Sequence, residues 1–341
     1  MDSVFDYVRQ HRRGWFVLIA VIIASSAIPL GIKFLLKESA MSVTPVKIII
    51  SGGAGGGNDN DVRERLTRIF DEIRIDADIS LAQSGAELTA LAQDAARGPH
   101  KVIVAGGGDG TVNSVAATVV DSDKILGVLP LGTLNHFARD LKIPFDLEAA
   151  AHTIVDGHIT EVDVAEVNNR IFLNNSSLGL YPIIVREREK RQRLGSGKWP
   201  AFVWAMIQAF RRYPFLDVRL RVKDELLDRT TPFVFVGNNE YAMESFNIGL
   251  RDRIDSGVLS IYITHRTGRL KLINLALRAV AGRLRDDKDF LALCSTEVRI
   301  ETRHKRLRVA FDGEIEVMET PLQYRVRKRA LRVIVPKEAG S

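Results

Sequence analysis

A single carboxylate stands inside a run of glycines at Gly106-Gly107-Gly108-Asp109-Gly110-Thr111, directly after the apolar stretch KVIVA at 101–105. Glycines remove the Cβ where a backbone must turn and approach a ligand closely. Amide N–H groups at the start of a following helix point toward a bound anion. An aspartate in such a loop repels phosphate, so its presence makes sense when a divalent cation bridges carboxylate and phosphate. Gly107, Gly108, Asp109, Gly110, Thr111 and Asn113 are therefore candidates for a nucleotide site, with Asp109 reaching a metal held on the phosphates. Thr111 and Asn113 are expected to cap the helix and to donate hydrogen bonds. A tight strand-to-helix turn with an ordinary Asp cap would explain a bare GDG. Three glycines with Asp and Thr after a buried strand favour the ligand.

A second glycine loop, SGGAGGGN at 51–58, follows the apolar run KIII at 47–50. Because it too leaves a strand, Gly52 and Gly53 are expected at the nucleotide, the alternative being a flexible turn. Neither loop is GxxxxGK[ST], and the overlapping glycine matches in 51–58 are compositional rather than a dinucleotide fingerprint. Near the other end, Asp312-Gly313 joins RLRVAF to EIEV, and D-G between two such runs reads as a β-hairpin turn.

Positioning these loops requires strands that end at one edge. KIII, KVIVA and ILGVLP at 125–130 read as buried strands, and helical spacing is expected over 60–74, 85–96 and 111–120, with a further short strand at 77–81. Strands alternating with helices across short joints make parallel βαβ units with right-handed crossovers, whose ligands bind at strand C-termini. From about residue 159 the pattern turns to short alternating strands, with helical stretches near 198–212 and 268–284. The expected architecture is an α/β nucleotide-binding domain over 45–157 and a β-rich, sandwich-like domain over 158–341, the last strands being free to return to the first domain. Residues 1–44 are set apart as a membrane anchor and linker.

That last expectation rests on residues 14–32, which run for 19 positions without a charge. About 20 apolar residues cross a bilayer. A cleaved signal peptide and a buried core helix are the competing readings. Basic residues flank the run on both sides, so charge does not orient it. The chain of 341 residues carries 48 Lys+Arg against 42 Asp+Glu and has a pI near 9.4, which points to an anionic partner. No zinc-finger spacing or RNA-binding signature is present, so nucleic acid is not expected. Cys294 is the one cysteine, which excludes an internal disulfide framework. The stretch GSGKWPAFVWAMIQAFRR at 195–212 sets an aromatic helix between basic residues, which suits a lipid headgroup boundary or a core helix equally.

GGDGT at 107–111 and LPLGTLNHFARDL at 129–141 together resemble the diacylglycerol kinase catalytic family, which includes bacterial lipid kinases and sphingosine kinases. FLNNSSLGL at 172–180, RIDSGVLSIYI at 253–263 and FDGE at 311–314 follow in the family's order. The resemblance implies ATP with Mg²⁺ in a cleft between a nucleotide domain and a β-rich domain, and a lipid hydroxyl as acceptor. It assigns the general base to Asp312, a role that a positioned carboxylate can fill, with Glu314 assisting metal or substrate placement. It also adds Gly132 and Thr133 to the phosphate cradle, with Asn135 holding the loop or the nucleotide. A kinase body must meet ATP in the cytoplasm, so a membrane-associated protein with a cytoplasmic body is expected. Its partners are a lipid substrate and a membrane, and a homodimer is compatible with the sequence. Two departures stand out. His136 replaces the Asp that many members carry, and SGGAGGGN replaces Asn-Pro-x-Ser-Gly. They motivate the alternative of a non-catalytic lipid-binding protein on the same fold; a soluble-substrate kinase of the NAD kinase type is the other. Ser256 and Ser260 also replace acids of a segment where some relatives hold a structural metal, so that metal is not expected.

Overall fold

A computed structural model describes residues 45–53, 59–179, 215–222, 225–241, 251, 253–264 and 290–337. Pro45–Ser341 forms one compact unit. The apolar run 14–32 and the two helical stretches expected near 198–212 and 268–284 lie outside the described residues, as do residues 54–58 of the SGGAGGGN loop. Among the described residues no helix is long and apolar enough to cross a membrane.

The first half is a βα alternation: β1 (Val46–Ser51), α1 (Asp59–Glu72), β2 (Ala77–Ala82), α2 (Gly85–Arg97), β3 (Val102–Gly107), α3 (Asp109–Val119) and β4 (Ile125–Pro130). The strands β2, β1, β3 and β4 pair in parallel in that order. Ile48, Ile49, Ile50, Ile103, Val104 and Leu126 are wholly buried, as continuous apolar strands covered on both faces must be. Ser84 caps α2 by accepting from Glu87 N at 3.2 Å. After the short α4 (His136–Asp140) comes α5 (Leu147–Asp156), an element that the apolar pattern did not single out. Its signal was Asp146, which caps the helix by accepting from Ala149 N at 2.9 Å.

The remaining strands are β5 (His158–Val167), β6 (Arg170–Phe172), β7 (Asn175–Gly179), β8 (Leu216–Val222), β9 (Glu225–Thr231), β10 (Phe233–Asn238), β11 (Leu259–Thr264), β12 (Phe290–Ser295), β13 (Glu297–Thr302), β14 (Arg306–Phe311), β15 (Glu314–Glu319) and β16 (Leu322–Val335). β8 alternates buried and exposed along its length, as expected of a strand with one wet face. QYRVRKR at 323–329 and LRVIV at 331–335 belong to the single strand β16; a register shift between Arg327 and Leu331 divides it, with Arg329 at φ 50. β16 lies antiparallel to β5 and β13 and meets β4 at Val333↔Leu126, so one sheet runs β2-β1-β3-β4-β16-β13-β8-β9. A second sheet runs β12-β11-β10-β7-β14-β15. One apolar core surrounds the parallel strands and a second fills the space between the sheets. Buried Tyr324 of the first sheet reaches Ser176 Oγ of the second at 3.1 Å, giving a polar tie inside that apolar layer.

Candidate active site

The loops after β3 and β4 come from neighbouring parallel strands, and they touch. Leu131 N donates to Gly107 O at 3.1 Å. A Cβ on Gly132 would overlap Gly108 Cα and stand 2.6 Å from Asn135 Oδ1, so the two loops close on each other only because position 132 is glycine. Asn135, buried and left-handed at φ 49, spends its amide on the loop: Oδ1 accepts from Gly132 N at 3.0 Å, and Nδ2 donates to Gly132 O at 2.9 Å and to Pro130 O at 3.2 Å. Of the two expectations for Asn135, holding the loop is the one these bonds serve. Thr133 is exposed at the loop tip. Gly132→Ala is expected to pry the loops apart and, for the ATP that the resemblance implies, to raise KM about tenfold or more in steady-state kinetics; an unchanged KM would show that the loop contact does not shape the site that the resemblance implies.

Helix α3 starts at Asp109, with Gly108 as its N-cap and no side-chain capping bond. The capping expectation for Thr111 and Asn113 is therefore corrected, because both lie inside the helix. Thr111 folds back over Gly107, where a Cβ would lie 2.6 Å from Thr111 Cβ. Asn113 is buried inside the helix, and its Nδ2 donates to Ile171 O of β6 at 3.4 Å. Gly52 closes the end of β1 through Gly52 N to Ala82 O at 2.7 Å, and Gly53 adopts φ 75, where a glycine is needed. β1 pairs with β3, which puts this turn at the same strand-end edge.

Asp109 sits where three segments meet. Its Oδ1 accepts from Phe137 N of α4 at 3.1 Å and from Asn174 Nδ2, between β6 and β7, at 3.4 Å. Asn174 is also the link to Asp312. The Asp312-Gly313 pair is a two-residue hairpin turn between β14 and β15, with φ 45 and φ 88. Positive φ at both central residues is the turn type that D-G favours. The turn drives the Asp312 carboxylate inward, where Oδ2 accepts from Leu173 N at 2.7 Å and Oδ1 from Asn174 N at 2.9 Å and Asn175 N at 3.1 Å. Burial pushes the Asp312 carboxyl up to about 6; the three N–H bonds pull it back, and the charge on Asp109 raises it. The hairpin turn and the base that the resemblance assigns thus fall on one residue. Glu314 also faces the glycine loop, its Oε1 lying 3.5 Å from a Cβ built on Gly110.

Several residues at this centre carried no sequence signal of their own. Arg251 is buried and pairs with Asp140 at 2.7 Å. Tyr241 donates to Asn174 O at 2.8 Å, and burial pushes its phenol up to about 12. Asn174 lay within a quoted motif but had no role attached. No group of three or more metal-ligating His, Cys, Asp or Glu side chains occurs among the described residues. Ser256 donates to Asn239 Oδ1 at 2.6 Å, Ser260 to Asn239 O at 2.7 Å, and Asp255 pairs with Arg253 at 3.2 Å.

With this geometry in place, the chain can be compared with known proteins. Residues 45–167 match the diacylglycerol kinase catalytic domain, and residues 181–335 match the YegS C-terminal NAD kinase beta sandwich-like domain. A diacylglycerol kinase of Staphylococcus epidermidis is 27% identical over 231 residues, spanning 63% of this chain and 72% of that protein. One from Staphylococcus aureus is 29% identical over 224 residues, spanning 61% and 70%. The crystal structure of a diacylglycerol kinase from Bacillus anthracis str. Sterne superposes with a TM-score of 0.64 at 21% identity, covering 88% of this chain and all of the other, which establishes a shared fold. The domain matches run through both halves of the described body, and the chain belongs to the diacylglycerol kinase catalytic-domain family.

Proposed function

We propose that the chain transfers the terminal phosphate of Mg²⁺-ATP to the hydroxyl of a diacylglycerol-like lipid, with Asp312 as general base. The observation that carries this reading is the placement of two carboxylates around Asn174. Asp109 lies at the glycine loops, and Asp312 lies across from it in a buried cradle of N–H groups. The residues present fit a magnesium nucleotide. Mg²⁺ favours one or two carboxylates plus substrate phosphates over an all-protein cage, which suits a site with Asp109 and no cluster of three ligands among the described residues. When bound, the metal would neutralise charge on the phosphates.

The remaining work falls to the chain's own groups. Gly107, Gly108 and Gly132 let backbone amides and the α3 N-terminus approach the phosphates. Asp109 Oδ1 is engaged by Phe137 N and Asn174, which holds the carboxylate in one orientation. Asp312 accepts the proton as the lipid oxygen attacks; a base near pH 6 is ionised at neutral pH yet still accepts a proton readily. Membrane association belongs to the same proposal and rests on the apolar run at 14–32 and on the lipid acceptor.

The test is incubation of the full chain with γ-labelled ATP, Mg²⁺ and a total lipid extract, with NAD in a parallel reaction, followed by mass identification of whatever gains label. A phosphatidic-acid-like product is expected. Label on NAD alone would assign the soluble-substrate activity, and no label at all would leave a lipid-binding protein without catalysis.

A further inference from the structure

Arg251 makes more contacts than an ion pair requires. Its Nε meets Asp140 Oδ2 at 2.7 Å, with side chains 0% and 2% exposed. One terminal amino group donates to Leu173 O at 2.6 Å and Asn238 O at 3.1 Å, and the other to Asn174 Oδ1 at 3.0 Å. The guanidinium lies 5.7 Å from the Tyr241 ring centre, and the Tyr241 hydroxyl donates to Asn174 O. The carbonyls of Leu173 and Asn174 are thus held from one side, while the N–H groups of the same two residues hold Asp312 from the other. Guanidinium only donates, so Asn174 must turn Oδ1 to Arg251, and that leaves Nδ2 to face Asp109. Asp140, in turn, ends α4, the helix that follows the loop after β4.

Resting on the function proposed above, we infer that Arg251 is a positioning residue for phosphoryl transfer. Its fork fixes the Leu173–Asn174 segment that sets Asp312 and Asp109 relative to each other, and Asp140 anchors that fork to the nucleotide-side helix α4. Stability alone is a poor reason for this arrangement, because a buried ion pair often does no better than apolar residues of the same volume. Geometry explains it: a planar fork satisfies several acceptors at fixed angles, and a lysine ammonium does not.

Arg251→Lys in the full chain keeps the charge and the pairing with Asp140 and loses the fork. With labelled ATP, Mg²⁺ and the lipid extract, kcat is expected to fall about 30-fold or more, as small misplacements of reacting groups do. The KM for ATP should stay within about threefold, since Arg251 does not touch the glycine loops. Arg219→Ala, which breaks an exposed pair with Asp228 in the β8–β9 hairpin, should turn over like the parent chain. Should Arg251→Lys not fold, Tyr241→Phe removes one hydroxyl from the same segment and is expected to lower kcat about three- to tenfold at unchanged KM. Parental kcat in a folded Arg251→Lys chain, or in Tyr241→Phe where the lysine variant does not fold, overturns the inference. Loss of kcat in step with loss of folded protein overturns it too. Asp312→Asn separates the two claims. If that variant is inactive while Arg251→Lys is not impaired, only the positioning role fails; if it is fully active, the base assignment fails and the positioning role with it.

Discussion

Asp312→Asn is expected to reduce phosphate transfer by about 100- to 10,000-fold, the range a positioned general base supplies. The carboxylate is the residue's only means of taking a proton, and its oxygens are already aimed by three N–H bonds. The carboxamide cannot accept that proton. The pH profile should change with it. In the parent chain, burial pushes Asp312 up to about 6, so the rate should climb as pH rises through about 6 and level off above it. The groups around Asp312 are Asp109, Tyr241, the Arg251–Asp140 pair and Glu314. Tyr241, pushed up to about 12, stays neutral across that range. In Asp312→Asn that limb should vanish from whatever activity remains.

Stability gives an independent reading of the same group. Its folded value, about 6, lies above the ordinary 3.8, so between those values the folded chain binds a proton that the unfolded chain has released. Stability from Asp312 is therefore full at acid pH and is lost as pH rises through about 6, by about 3 kcal/mol in all. Urea unfolding of the parent chain and of Asp312→Asn across that window should show this difference; parallel curves would mean that the carboxyl is not shifted upward.

Asp109→Asn carries the second large effect, a fall of about 100-fold or more in kcat/KM together with a weaker dependence on Mg²⁺. The change is nearly isosteric. Oδ1 can still accept from Phe137 N, so α4 keeps its contact with α3. What is lost is the negative charge that would attract a cation to the phosphates, and a carboxamide N–H₂ offers a metal nothing. Titrating Mg²⁺ at fixed ATP checks this. A parental magnesium curve in Asp109→Asn would mean that the aspartate serves only to join the loops.

The two regions differ in how far the sequence could be read. Buried parallel strands are continuous apolar runs such as KIII and ILGVLP, and glycine loops follow them directly, so local pattern suffices to find β1, β3 and β4. Helix α5 escaped because its alanines dilute the apolar stripe and only Asp146 announces it. Asn113 was expected to cap because the helix was expected to start at Thr111; with Gly108 as cap it lies a turn inside. β16 does not show as one strand in the sequence, because Arg329 interrupts its alternation at the register shift. Asp312-Gly313 was legible as a turn, whereas its N–H cradle comes from a segment more than 130 positions earlier, which no local pattern can reveal. The same distance problem hid Arg251: its partner Asp140 is 111 positions away, and an isolated arginine in a loop looks like surface.

The most direct measurement of the central claim is the affinity of the purified full chain for ATP by calorimetry, with Mg²⁺ and with a chelator in its place. Joined glycine loops beside Asp109 predict saturable binding with magnesium, weakened at least about tenfold by its removal and again by Asp109→Asn. A chain that binds no nucleoside triphosphate under either condition would contradict the account at its foundation, whatever lipid were offered to it.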